Sequence, residues 1–120
     1  MTLTQRHIQL SREMLRARYA LLPGDPKRVE HVARFLDNVE DFGINREYRA
    51  LRGWFHGVEV LVMSTGMDGP STAIAVEELR QIGVTNLIRI GTCGAMQNHI
   101  RLGDLVIATA AVRDDGTSNS

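Results

Sequence analysis

Leu87-Ile88-Arg89-Ile90-Gly91-Thr92-Cys93-Gly94-Ala95 is an apolar run that ends in two glycines with a hydroxyl and a thiol between them. A run of this length that closes on glycine reads as a buried strand. Arg89 is the one charge in it. A guanidinium keeps its proton under ordinary conditions, so a buried one requires an anion or several acceptors. Glycine after the strand lets backbone approach a ligand with no Cβ in between. Open α/β sheets bind ligands at the carboxyl ends of their strands. Two readings follow. Either the strand presents a fixed cation to a phosphate, or Arg89 pairs with a carboxylate inside the sheet and the glycines only turn the chain. The stretch alone leaves both open.

Upstream, Ser64-Thr65-Gly66-Met67-Asp68-Gly69-Pro70-Ser71 is a Gly-rich turn, with Pro70 marking a helix start. Ala73, Ile74, Val76, Leu79 and Ile82 supply an apolar face at helical spacing, and Gly83 ends the helix. Val58 to Met63 reads as a strand before that turn. Strand, helix and strand make a βαβ unit, which favours a parallel pair with a right-handed crossover. His56-Gly57 reads as a hairpin turn, and Glu47 to Phe55 as its other, partly exposed arm. Asn38 to Arg46 reads as a polar connection.

Nearer the start, Tyr19-Ala20-Leu21-Leu22 is a short apolar strand that stops at Pro23-Gly24-Asp25-Pro26. Asp25 suits a helix cap and Pro26 the first helical turn. Val29, Val32, Ala33 and Leu36 then recur at helical spacing. Arg28 falls in the first turn, at the positive end of the helix dipole. Strand, glycine turn and helix N-terminus suit an anion, and a plain β-turn-α connection with a solvated arginine reads the same way. Residues 1 to 18 are polar, with Ile8, Leu10, Met14 and Leu15 interspersed; Ser11 is placed to cap a short helix, and His7 precedes it. Downstream, Leu102-Gly103-Asp104 reads as a turn and Leu105 to Val112 as a last strand. The coarse expectation is one α/β layered unit of about five strands and two main helices.

The chain has 120 residues, enough for one domain, and balances 14 basic against 14 acidic side chains. That balance leaves no footprint for nucleic acid or an anionic membrane. Lys27 is the only lysine, so the basic side is nearly all arginine. Arginine forks suit phosphate and carboxylate, and a GC-rich coding bias produces the same count. Cys93 is the only cysteine, so no internal disulfide is expected. With no leader pattern and no apolar run long enough to span a bilayer, a cytoplasmic protein is expected.

Three phrases, in order, carry a resemblance. Pro23-Gly24-Asp25-Pro26-Lys27-Arg28-Val29 resembles the first phosphate loop of the bacterial nucleoside phosphorylases, and Arg89-Ile90-Gly91-Thr92-Cys93-Gly94-Ala95 resembles their central strand and turn. The intervening Ser64-to-Leu79 phrase, with Gly66, Gly69, Pro70 and Glu77-Glu78, resembles the uridine phosphorylase branch. The resemblance runs from about His7 to the last residue. It implies an α/β layered sandwich on a mixed sheet, of which this chain is the single N-terminal portion of a nucleoside phosphorylase domain. It implies reversible phosphorolysis, nucleoside plus phosphate giving free base and ribose 1-phosphate, with uridine favoured.

The resemblance assigns phosphate binding to Gly24, Arg28, Arg46, Arg89 and Thr92, with Arg89 and Thr92 catalytic. Arg46 is lent to a neighbouring subunit's phosphate and His7 to its ribose; Thr92 also touches ribose. Cys93 and Gly94 line the base pocket. No cofactor is required, inorganic phosphate being the co-substrate. Glu47, Ser71 and the carbonyl of Met67 match a potassium site between paired subunits, and the implied assembly is a hexamer of such pairs. Asp68 stands where this branch usually has glycine, and suits a cap for the helix at Pro70. The second departure is length, because family chains continue about as far again. Three alternatives stay open: a non-catalytic phosphate-binding or assembly module, a purine nucleoside phosphorylase, and a hydrolytic nucleosidase, against which the three arginines speak.

Overall fold

Val60, Leu61, Val62 and Met63 alternate between two cores, which is what a strand buried on both faces requires. They belong to the central part of a five-stranded sheet in the computed structural model, which describes residues 4–114, 116 and 117. In chain order the elements are β1 (Tyr19–Pro23), α1 (Pro26–Ala33), β2 (Asp37–Asn45), β3 (Tyr48–Phe55), β4 (Val58–Met63), α2 (Gly69–Gln81) and β5 (Asn86–Ile90). The sheet order is β2-β3-β4-β1-β5. The β4, β1 and β5 strands run parallel, and β2 and β3 pair antiparallel with each other and with β4. The sheet is therefore mixed, as expected.

One face packs on α2 and the N-terminal segment. Ala75, Leu79 and Ile82 meet Ala20, Leu22, Ala50, Leu61 and Met63, and Ile8, Leu10 and Leu15 complete that core. The other face packs on α1, where Val29 and Ala33 meet Leu51, Val60 and Val62. Asp25 caps α1 by accepting from the Lys27 N–H at 2.9 Å. Asp68 caps α2 by accepting from the Ser71 N–H at 2.7 Å, the role expected of it, and hydrogen bonding from the Ser71 side chain, with that N–H, lowers its carboxyl pKa. His56 and Gly57 close the β3–β4 hairpin with φ of 49° and 80°, both positive as a tight two-residue turn demands.

Several expectations are corrected. The polar connection at Asn38 to Arg46 is mostly strand β2. It is an edge strand, its charges face water, and its pairing with β3 shifts register between Asp37 and Glu40 and again between Asp41 and Gly43. Bulges at a solvated edge erase the period-two signal. The strand expected at Leu105 to Val112 is absent: those residues are exposed and belong to no strand. A strand exists only through its pairing, and no described strand lies beside this stretch. The residues after Ser11 form a turn, with Met14 N–H donating to the Ser11 carbonyl at 3.1 Å, and no helix follows. Helix α2 buries Ala75 and Leu79, with Ile82 buried at its C-cap, while Ala73 and Ile74 face out. The βαβ strands β4 and β5 are parallel but not neighbours, because β1 lies between them. Finally, β5 is an edge strand paired to β1 alone, and Arg89 in it is exposed.

Candidate active site

The parallel strands β1, β4 and β5 all end on one side of the sheet, and the loops that leave them meet there. The ladder continues past the strands: Thr65 N–H donates to the Pro23 carbonyl at 3.0 Å and Gly66 N–H to the Gly24 carbonyl at 3.1 Å. A cleft of about 220 Å³ opens at this point, lined by Gly24, Asp25, Arg28, Met67, Arg89 and Thr92 together with Ile90 and Gly91. Four residues expected at a phosphate, Gly24, Arg28, Arg89 and Thr92, thus share one cleft, although 61 or more positions separate the first pair from the second.

Arg89 does not pair with a carboxylate inside the sheet. Its Nη1 donates to the Leu22 carbonyl at 3.2 Å and to the carbonyl of Ile90. Carbonyl partners hold the guanidinium in place and leave its charge uncompensated. Among the described residues neither Arg28 nor Arg89 forms an ion pair. Gly24 is what lets Arg89 lie there: a Cβ on it would stand 3.0 Å from Arg89 Nη2 and 3.2 Å from the Gly66 carbonyl oxygen. The one acid in the wall, Asp25, is committed through Oδ1 to the Lys27 N–H at 2.9 Å. Two fixed cations beside a helix N-terminus and a hydroxyl make a cleft for an anion.

The other expected residues lie elsewhere. Arg46 is exposed at the tip of the β2–β3 turn with φ of 57°, and does not line the cleft. His7 is also outside it, with Nδ1 held 2.5 Å from Glu78 Oε2. Asn45 links the two, its Nδ2 donating to the His7 carbonyl at 2.6 Å. Cys93 and Gly94 line a separate hollow of about 380 Å³ made by their own segment, residues 93–106, and both are exposed. Glu47 and Ser71 flank Gly66, where a Cβ would stand 2.8 Å from Ser71 Oγ and 3.1 Å from Glu47 Cγ. Ser71 Oγ donates to the Thr65 carbonyl at 2.7 Å, which leaves its lone pairs as donors to a cation. No group of three or more His, Cys, Asp or Glu able to hold a metal ion occurs among the described residues. The structure brings Glu47 and Ser71 together at Gly66 and places Met67 in the wall of the cleft; one carboxylate, one hydroxyl and a backbone carbonyl, the set the resemblance implies, would suit a monovalent ion better than a transition metal.

Asp25 and Met67 were not anticipated as walls of the cleft. Asp25 was legible only as a helix cap, and Met67 only as part of a turn and, through the resemblance, as a potassium ligand by its carbonyl.

The sequence profile of the Phosphorylase superfamily matches residues 18–120. The chain belongs to that superfamily. Among its relatives, uridine phosphorylase from Haemophilus influenzae is 49% identical over 114 residues, which are 94% of this chain and 45% of that protein. A guanosine phosphorylase from Halorubrum lacusprofundi is 46% identical over 99 residues, 82% of this chain and 41% of that protein. The crystal structure of a Vibrio fischeri uridine phosphorylase complexed with 6-hydroxy-1-naphthoic acid superposes with a TM-score of 0.91 at 44% identity, over 97% of this chain and 47% of that one. This phosphorylase-superfamily chain therefore spans less than half the length of the relatives it matches.

Proposed function

We propose that the chain carries the phosphate half of a nucleoside phosphorylase site, used for reversible phosphorolysis with uridine as the favoured nucleoside. The observation that carries the reading is the convergence of Gly24, Arg28, Arg89 and Thr92 on one cleft, with both arginines free of carboxylate partners among the described residues. In the reaction the C1′–N bond of the nucleoside breaks, its electron pair leaves with the base, and a phosphate oxygen forms the new C1′–O bond. The sugar passes through an oxocarbenium-like state. Arg28 and Arg89 hold the phosphate dianion, whose charge stabilises the developing cation, so catalysis is positioning and electrostatics with no protein nucleophile. Thr92 binds phosphate and ribose, and Cys93 and Gly94 form a wall of the base pocket.

In this reading Arg46 and His7 serve a neighbouring subunit's phosphate and ribose within a homo-oligomer of paired subunits. Their separation from the cleft supports that assignment. Glu47, Ser71 and the Met67 carbonyl would hold potassium between paired subunits, where bound potassium would supply charge balance. The setting is cytoplasmic; no described helix is long and apolar enough to cross a membrane.

The test is release of free base from uridine, inosine and guanosine by the purified chain, with and without inorganic phosphate. Phosphate-dependent release from uridine, abolished by Arg89→Ala, is expected. Release that ignores phosphate overturns the reading in favour of a nucleosidase. A second reading, a phosphate-binding or assembly module without turnover, is favoured by the span of under half the relatives' length. Phosphate binding with no base release from any nucleoside would establish it.

A further inference from the structure

Glu78, on helix α2, accepts three hydrogen bonds from one short segment. Its Oε1 takes the His7 N–H at 3.0 Å and the Ile8 N–H at 3.1 Å, and its Oε2 lies 2.5 Å from His7 Nδ1. The carboxylate is well shielded, its side chain 13% exposed against 27% for His7. Two of these bonds suffice to tether the segment. The third acts on the ring alone. A carboxylate against Nδ1 requires the proton to be there, because an ionised carboxylate only accepts. That leaves Nε2 as the ring's free hydrogen-bonding atom, and among the described residues Nε2 has no partner. The tautomer of a histidine is set by the bond its other nitrogen makes.

We propose that Glu78 is a positioning residue, which holds His7 in the tautomer protonated on Nδ1 and presents Nε2 outward as an acceptor for a sugar hydroxyl. Glu78 itself touches no substrate. Asn45 secures the same segment from the other side, through the His7 carbonyl, and adjoins Arg46, so the two residues offered to a neighbouring site are carried on one braced unit. The inference rests on the phosphorolysis reading for what the ring meets, and on geometry alone for how the ring is held.

Long-range proton–nitrogen correlation NMR on the histidine-labelled chain, at mildly alkaline pH, reads the tautomer directly. His7 is assigned by the signal lost in His7→Gln. The expected result is a protonated Nδ1 and an unprotonated Nε2 in the unaltered chain; Glu78→Gln should reverse it, because its one oxygen stays on the His7 and Ile8 N–H groups and its NH2 then donates to Nδ1. Glu78→Ala should move the tautomer ratio towards protonated Nε2 by roughly tenfold or more, the scale of a bond to a charged acceptor. Asn45→Ala loosens the segment without touching the ring and should leave the tautomer unchanged; a mere tether would respond alike to both alanine variants. If Glu78→Ala frees the segment, seen as lost protection of the Ile8 amide, the glutamine variant decides. A protonated Nδ1 there with Ile8 still protected overturns the inference, as does a protonated Nε2 in the unaltered chain. The measurement needs no nucleoside. Absence of phosphorolysis would therefore sink the functional reading and leave this result standing, and the reverse holds equally.

Discussion

At the scale of the residue, the cleft depends on the smallest side chain in it. Gly24 needs no unusual φ; its role is to have no Cβ where Arg89 Nη2 and the Gly66 carbonyl come within 3.0 and 3.2 Å of that position. Gly24→Ala should push the guanidinium aside by a few tenths of an ångström and press on the Gly66 carbonyl, a backbone atom that yields less readily than the end of a side chain. Misplacement on that scale is expected to weaken inorganic phosphate binding about tenfold, measured by calorimetric titration against the unaltered chain. Unchanged affinity would remove Gly24 from the site. Sequence showed a glycine between a strand and a helix, and so a turn. That an arginine from 65 positions downstream lies against it is a tertiary fact. Arg89 illustrates the same limit from the other side. Its neighbours Leu87, Ile88 and Ile90 announce a buried strand, yet the strand sits at the sheet edge and the charge is met by carbonyls, not by an anion.

At the scale of the element, α2 and β4 hold the larger core. Leu61 is wholly buried between β1, β3 and α2, and Leu61→Ala should lower unfolding free energy by about 2–5 kcal/mol, read from urea midpoints at constant slope. A smaller loss would mean that the core collapses into the space. Helix α2 also sets a pH dependence through Glu78. Burial raises its pKa, but the His7 ring and the Ile8 and His7 amides more than offset this and hold it below its ordinary 4.5. A carboxyl lowered in the folded state stabilises that state above the unfolded value, and the contribution is lost as pH falls through the lower, folded value. The difference in urea midpoint between the unaltered chain and Glu78→Gln should therefore be greatest near neutrality and shrink below about pH 4.5. A difference that grows on acidification would reverse the sign of the claim. Elements buried on one or both faces, β1, α1, β4 and α2, were legible because burial imposes a period. The edge strand β2 was not, because bulges and solvated charges remove it.

At the scale of the molecule, one region is unfinished. Beside α1 an apolar groove of about 570 Å³ is lined by Tyr19, Val32, Phe35, Phe55, Val58 and Ile88, and β5 offers the free edge of the sheet next to it. Phe35 is 78% exposed and Ile88 52%. Exposed aromatic surface next to an open strand edge favours association. The chain is expected to self-associate with rising concentration in sedimentation velocity, and the double change Phe35→Ser and Ile88→Lys should suppress this while leaving the far-ultraviolet spectrum intact. A chain that stays monomeric throughout would show that the groove is not adhesive. The radius of gyration, 15.1 Å, exceeds the ~13.6 Å usual for this length because residues 91–114 run outside the packed layers without helix or strand. What the sequence determined by itself was local: helix caps at Asp25 and Asp68, the turn at His56-Gly57, the strand-glycine-helix order, and the phrases that place the chain in its superfamily. These depend on residues a few positions apart, whose backbone preferences and periodicities act within one element. Tertiary structure alone decided the strand order, the edge position of β5, the meeting of Arg28 with Arg89, and the bond from Glu78 to His7. Each of these brings together residues far apart in the chain, and such contacts follow from how layers bury one another, which no local preference encodes.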